Sequence, residues 1–241
     1  MYLASSAVVC DEALKIAVCL MILWRQAWQE NESFSSYLRR EVFQHPRELC
    51  KMAVVAGLYT VQKNMLYLAV SNLDAAVFQV TYQFKNLTTA IFSCIMLGRT
   101  FSSQQLMGLL LLTAGVALVQ VDQTNEAGSG EEKHADQHTQ VYLHGIVAVL
   151  TACCTSGFAG VYLESVLKGG QVSVFAKNLQ LSAWALIFAT LFGVSKDWAT
   201  IQENGFFYGY TPLVGCVIIL EAGGGLVVAV VVKYADSVLK T

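Results

Sequence analysis

Lys85 lies in an apolar stretch, Ala75–Leu97, that contains no carboxylate. An ammonium at bilayer depth is costly, so it needs an anion or a water-filled cavity. Phe78, Gln79, Tyr82 and Asn86 accompany it at helical period. A second set, Tyr59, Gln62, Lys63 and Tyr67, is spaced i, i+3, i+4 and i+8 on the preceding apolar run. A face mixing rings, amides and lysines does not suit lipid. It suits hydrogen bonding between helices, or an anionic ligand whose phosphate meets the ammonium and whose flat ring stacks on an aromatic. The isolation of Lys85 favours the ligand.

Other polar groups in apolar surroundings carry less. Asp11 and Glu12 stand four and three residues before Lys15, either a self-neutralised cluster or charges along a substrate path. Ser156, Gly157 and Gly160 let a helix backbone approach a neighbour closely, for which packing alone suffices. Lys177 and Asn178 open an apolar run, where snorkelling accounts for the lysine. Glu221 precedes a small-residue patch, Ala222–Gly225, suited to a close helix crossing.

The elements that must position these residues follow from composition. Of 241 residues 55% are hydrophobic and 13% are charged, about half the charged share of a soluble domain, ~25%. Fifteen basic and seventeen acidic residues leave a net charge of −2, which argues against nucleic acid as a partner. The seven cysteines show no zinc spacing and no Cys-x-x-Cys, so neither a disulfide framework nor a metal or cofactor site is expected. The charges at 11, 12 and 15 set the first run apart from a cleavable leader. An apolar run of about 20 residues spans a bilayer as a helix, and seven such runs occur, roughly 3–24, 53–70, 75–97, 104–121, 143–163, 174–195 and 211–232. The expected fold class is an all-α polytopic membrane bundle of about seven transmembrane helices.

Two connections are long. Segment 25–52 carries Arg25, Arg39, Arg40, Arg47 and Lys51, with Pro46 as a helix breaker; segment 122–142 is polar and acidic and holds His134 and His138, with His144 beside it. A solvated flexible loop explains these histidines better than a metal site. With alternating loops, Arg25, Arg39, Arg40, Arg47, Lys51, Arg99, Lys168, Lys233 and Lys240 fall on one side, against Lys133 and Lys196 on the other. Positive-inside places 25–52 in the cytoplasm and 122–142 in a lumen or the exterior. An intramembrane enzyme would need a nucleophile–base pair or paired aspartates at matched depth, and none is found. Transport of an anionic solute is the better reading.

The run GLYTVQKNMLYLAVSNLDAAVFQVTYQFKNLTTAIFS (Gly57–Ser93) resembles the hallmark of the Golgi nucleotide-sugar transporters, in the branch for UDP-galactose, UDP-N-acetylglucosamine and CMP-sialic acid. SGFAGVYLESVLKG (Ser156–Gly169), NGFFYGY (Asn204–Tyr210) and the Gly224–Lys240 ending support the same resemblance, which covers nearly the whole chain. It implies a multi-pass Golgi (or endoplasmic reticulum) membrane protein with the ten-helix inverted-repeat fold of drug/metabolite transporters. It also implies exchange of a cytosolic nucleotide sugar for a lumenal nucleoside monophosphate. By motif position, Lys85 and Lys240 resemble the lysines that meet the phosphates, and Tyr82, Ser156, Gly157 and Asn178 those that line the nucleotide pocket. Phe78 replaces the usual tyrosine and Lys63 the usual asparagine. Leu87-Thr88-Thr89 and Lys233–Asp236 are more similar to the UDP-sugar members than to the CMP-sialic acid one.

Aligned by motif, residues 1–241 begin at the family's second helix and end just after its eighth, one incomplete transporter domain. The resemblance therefore implies insertion and nucleotide binding without a complete exchange cycle, and faces such as Gly223–Gly225 open to lipid or to a second copy of the chain. The alternatives to a UDP-sugar/UMP antiporter are a CMP-sialic acid transporter and a non-transporting membrane scaffold. The basic-residue asymmetry makes a direct prediction about orientation. Cysteines introduced in 122–142 should react with an impermeant thiol reagent only from the lumenal side, and those in 25–52 only from the cytosolic side; the reverse pattern would overturn the topology.

Overall fold

The computed structural model describes residues 3–127, 132–169 and 172–239, without the side chains of 4, 117, 119–140 and 234–239; Lys133, His134, His138 and Lys240 thus lie outside the described side chains. All regular structure among the described residues is helical. In chain order the helices are α1 (Ala4–Gln29), α2 (Phe34–Leu38), α3 (Pro46–Asn72), α4 (Ala75–Tyr82), α5 (Lys85–Leu97), α6 (Ser103–Ala127), α7 (Glu132–Lys168), α8 (Val174–Phe188), α9 (Trp198–Asn204) and α10 (Pro212–Leu239). A π-helical turn, Arg39–Phe43, follows α2, and a second, Ala189–Val194, continues α8. Pro46 opens α3, the first-turn position where a missing N–H costs nothing.

Among the described residues three helical segments are long and apolar enough to cross a membrane: Val141–Lys168, Val174–Val194 and Pro212–Lys233, with mean hydropathies of 1.9, 1.3 and 2.4. The last is the most apolar and the least buried by protein, 17% of its window against 39% for the other two. A soluble protein would show the opposite order, so this exterior is built for a bilayer. Elsewhere the apolar runs are compromised. Helix α1 carries Asp11, Glu12 and Lys15 within its run, and α3 carries Lys63.

The stretch 75–97 is not one helix, as its apolar continuity predicts, but two. Between α4 and α5 the chain tightens, with Gln83 N–H bonding to Val80 C=O, Phe84 N–H to Thr81 C=O and Asn86 N–H to Gln83 C=O. These i→i−3 bonds replace the α-helical ladder for one turn. Helix α7 lies against the break. The Thr88 hydroxyl donates to the Cys153 carbonyl at 2.8 Å, and the Cys153 thiol faces the Tyr82 carbonyl at 3.6 Å.

The described residues form two compact units. The first comprises residues up to Gly57 and from Leu163 onward, and the second spans Leu58–Tyr162. The core of the first packs Cys19, Leu23 and Ala27 of α1 on Val172 and on Ala176 and Leu179 of α8, with Tyr37 and Val42 closing it. The core of the second packs Ala69, Leu73 and Val77 on Ala148, Val149 and Cys153 of α7. The small residues mark its closest approach. A Cβ on Gly157 would stand 2.6 Å from Thr88 Oγ1 and 2.8 Å from the Thr89 backbone N, whereas a Cβ on Gly160 would meet nothing within 4 Å. The close approach expected at 156–160 is therefore made at Gly157 alone. Because backbone cannot step aside as a side chain can, Gly157→Ala should destabilise by about 1–3 kcal/mol, the range for overpacking. Gly160→Ala should be neutral or stabilising, since alanine is the better helix former. Thermal unfolding in detergent checks the pair; equal midpoints for the two variants would refute the contact.

Candidate functional site

Two sets of the candidate residues are assembled, one in each unit. In the second unit the set grows from α4. Phe78 and Tyr82, one turn apart, stack with ring centroids 5.7 Å apart and planes 8° from parallel. The tightened turn after Tyr82 then starts α5 at Lys85, whose ammonium lies 4.4 Å from the centroid of the Tyr82 ring. Gln62 of α3 donates from Nε2 to the Tyr82 hydroxyl at 3.1 Å. Rings, phenol, amide and ammonium are thus joined in one continuous cluster.

Its electrostatics are unbalanced. Among the described residues no carboxylate pairs with Lys85, and the nearest compensation is a ring face, a weaker partner than an anion. Lys85 is also the first residue of α5, where the helix dipole is positive and already unfavourable to a cation. Gln62 is buried, and its Oε1 has no hydrogen-bond partner, an orphaned acceptor beside the ammonium-bearing cluster. A phosphate-bearing ligand with a heterocyclic ring matches all three features: an anion for the ammonium, a stacking surface for the rings and a donor for the amide oxygen.

The other residues of that unit divide. Tyr59, one turn before Gln62, is half-buried, whereas Lys63 and Tyr67 are exposed, Tyr67 by 54%. The face expected from 59, 62, 63 and 67 is therefore split, because only the Tyr59–Gln62 side meets neighbouring helices. Gln79 is exposed, one residue off the Phe78–Tyr82 stack. Ser156 is half-buried, and Gly157 presses on the backbone of Thr88–Thr89 in the first turn of α5, next to the turn that bears Lys85.

In the first unit the charged cluster of α1 is closed as its spacing predicts. Lys15 Nζ is 2.7 Å from Asp11 Oδ2 and 3.1 Å from Glu12 Oε1, and both carboxylates are buried. Gly225 of α10 passes this lysine closely, a Cβ there falling 3.5 Å from Lys15 Cε. The crossing expected from 222–225 is thus made at Gly225, while a Cβ on Gly223 or Gly224 would meet nothing within 4 Å.

Lys177 does not snorkel. It is fully buried, and its ammonium donates to the carbonyl of Val166 at 2.6 Å and to that of Gly169, with Glu48 Oε2 at 3.6 Å. Snorkelling needs a route to water, and here the carbonyl ends of α7 answer the charge instead. Nothing in the spacing of Lys177 signals this, since its partners lie on distant elements. Its neighbour Asn178 is buried, with Nδ2 unpartnered. The described side chains do not include Lys240.

The basic segment before α3 is also ordered by charge. Arg40 bridges Glu30 at 2.7 Å and Glu32 at 2.5 Å and lies 5.0 Å from the centroid of the Tyr37 ring. Burial, and then the charges of Glu41 and Glu30, push the Tyr37 phenol above its usual range. Glu41 reaches the opposite way, its carboxylate accepting the backbone N–H of Ser173 ahead of α8 at 3.1 Å.

Comparison with known proteins agrees with the motifs. The family model for nucleotide-sugar transporters matches residues 1–241. The mouse UDP-N-acetylglucosamine transporter is 44% identical over 99% of this chain and 72% of its own length. The UDP-N-acetylglucosamine/UDP-N-acetylgalactosamine transporter nstp-4 of Caenorhabditis elegans is 44% identical over 99% of this chain and 71% of its own. The bovine UDP-galactose translocator is 45% identical over 99% of this chain and 59% of its own. The chain belongs to the nucleotide-sugar transporter family.

Proposed function

We propose that this protein is a nucleotide-sugar antiporter of the Golgi membrane that exchanges a UDP-sugar, UDP-N-acetylglucosamine or UDP-galactose, for UMP. The observation that carries the reading is the Phe78–Tyr82–Lys85 cluster, an ammonium with no carboxylate partner among the described residues beside two parallel rings. The names of the relatives support the UDP-sugar class. In this reading the seven apolar runs belong to a ten-helix inverted repeat. Segment 25–52 is cytoplasmic, and 122–142 is lumenal.

The roles follow from the chemistry of each group. Lys85 neutralises phosphate, and Tyr82 with Phe78 stacks the base. The orphaned oxygen of Gln62 accepts a hydrogen from the uracil N3–H, which a cytosine ring lacks. Tyr59 and Ser156 complete that wall, with Gly157 holding α7 close; Gln79, being exposed, takes a place at the margin. Asn178 contributes its free amide donor, and Lys240 a second cation for the phosphates. The Asp11–Glu12–Lys15 cluster lies on the solute path with one of its two negative charges cancelled by Lys15, whereas Lys63 stands outside the ligand's reach. Nucleotide sugar, UMP and the bilayer are the partners, with a second copy of the chain on the small-residue face of α10.

Equilibrium binding to the purified protein tests the site, and counterflow into UMP-loaded vesicles tests the antiport. UMP, UDP-N-acetylglucosamine and UDP-galactose should bind in preference to CMP and GMP, and external UDP-sugar should enter only where internal UMP is present. Preference for CMP would favour the CMP-sialic acid alternative, and binding without counterflow the scaffold one. Lys85→Gln should weaken UMP binding by about 1.5–3 kcal/mol, the range for hydrogen bonds to charged groups, or roughly 10- to 150-fold. An affinity unchanged within a few tenths of a kcal/mol would make Lys85 a structural cation.

A further inference from the structure

We infer that Lys177 is a positioning residue for nucleotide binding: it clasps the C-terminal end of α7 and Glu48 of α3, and so fixes the rotation of α8 that presents Asn178. The inference rests on the nucleotide-binding reading above.

The last carbonyls of a helix have no intrahelical donors, and a cation is the natural partner for them. Lys177 supplies that cation from another helix. It is the largest fully buried side chain among the described residues, and its three partners, Val166, Gly169 and Glu48, belong to two other segments of the chain. Oε2 of Glu48 is buried and has no hydrogen-bond donor, so the ammonium is its compensation, while its Oε1 accepts from Lys51 at 3.0 Å. A flexible lysine held by three groups of different origin is a fixed point.

The rest of the α8 entrance is held in the same manner. The Ser173 hydroxyl caps α8 by accepting the Ala176 N–H at 3.1 Å, and the Ser173 N–H itself goes to Glu41. One turn after Lys177, Gln180 donates from Nε2 to the Val42 carbonyl at 2.8 Å. Segment 41–48 and the end of α7 therefore grip the first two turns of α8 at Ser173, Lys177 and Gln180. Successive residues of a helix are about 100° apart, so fixing 177 and 180 leaves 178 only one orientation. Asn178 is 6% exposed and its Nδ2 is unpartnered. Such a donor is costly to hold empty unless a ligand fills it.

The test uses the full chain in detergent, with UMP as the probe. Lys177→Met keeps the apolar stem and removes the clasp, so the Kd for UMP should rise about tenfold or more, the scale of one charge-assisted hydrogen bond. Lys177→Arg should restore affinity to within about threefold, because a guanidinium can also serve two carbonyls and a carboxylate. If Lys177 acts through Asn178, Lys177→Met combined with Asn178→Ala should bind no more weakly than Asn178→Ala alone. A purely structural lysine would instead lower the unfolding midpoint with Kd unchanged, and additive losses in the double variant would mean independent action; either result overturns the inference. Should Lys177→Met fail to fold, Glu48→Gln removes one partner and leaves both carbonyls: a raised Kd supports the clasp, and an unchanged one refutes it. Failure of the unsubstituted chain to bind UMP would overturn the nucleotide reading and this inference together, whereas normal binding with an indifferent Lys177→Met overturns this inference alone.

Discussion

An ammonium among apolar helices must find negative charge or carbonyl oxygen, and the packing of this protein is organised by where each lysine finds it. Lys15 finds it on its own helix, in Asp11 and Glu12. Lys177 finds it on other elements, in the carbonyl end of α7 and in Glu48. Among the described residues Lys85 finds only the face of Tyr82. The first two are compensated inside the protein, and Lys177 in doing so locks separate elements together. Among the described residues the third is compensated least. The same residue type is thus held by anion or carbonyl in two places and by a ring face in one, and the difference lies in the partners rather than in the lysine.

What could be read from the sequence was what depends on local spacing. Apolar length located every long helix, although the helices run past the apolar runs where polar but helix-forming residues continue them, as α7 does from Glu132. The i, i+3 and i, i+4 spacing of Asp11, Glu12 and Lys15 gave the ion pairs directly. The i, i+4 spacing of Phe78 and Tyr82 likewise gave their stack. What could not be read depends on partners distant in sequence. Lys177 looks like any lysine at the end of a span, and only the return of α7 shows why it is buried. Lys63 and Tyr67 share a helical face with Gln62, yet no neighbouring helix covers them. The break after Tyr82 carries neither proline nor glycine, so nothing in Thr81-Tyr82-Gln83-Phe84 announces it.

That break has a structural cost which explains the residues opposite it. Leaving the α-helical ladder turns the Asn86 N–H from the Tyr82 carbonyl to that of Gln83, and in an apolar setting the freed Tyr82 carbonyl needs a partner. Helix α7 supplies one, the Cys153 thiol, and its own Cys153 carbonyl takes the Thr88 hydroxyl in return. The exchange works only if α7 runs within touching distance of the α5 backbone. Four residues after Cys153, on the same helical face, stands Gly157, whose missing side chain gives that distance. A thiol and a glycine one turn apart are therefore a single device for seating a broken helix. With it, Lys85 starts a new helix beside the ring of Tyr82 while the Tyr82 carbonyl freed by the break stays satisfied.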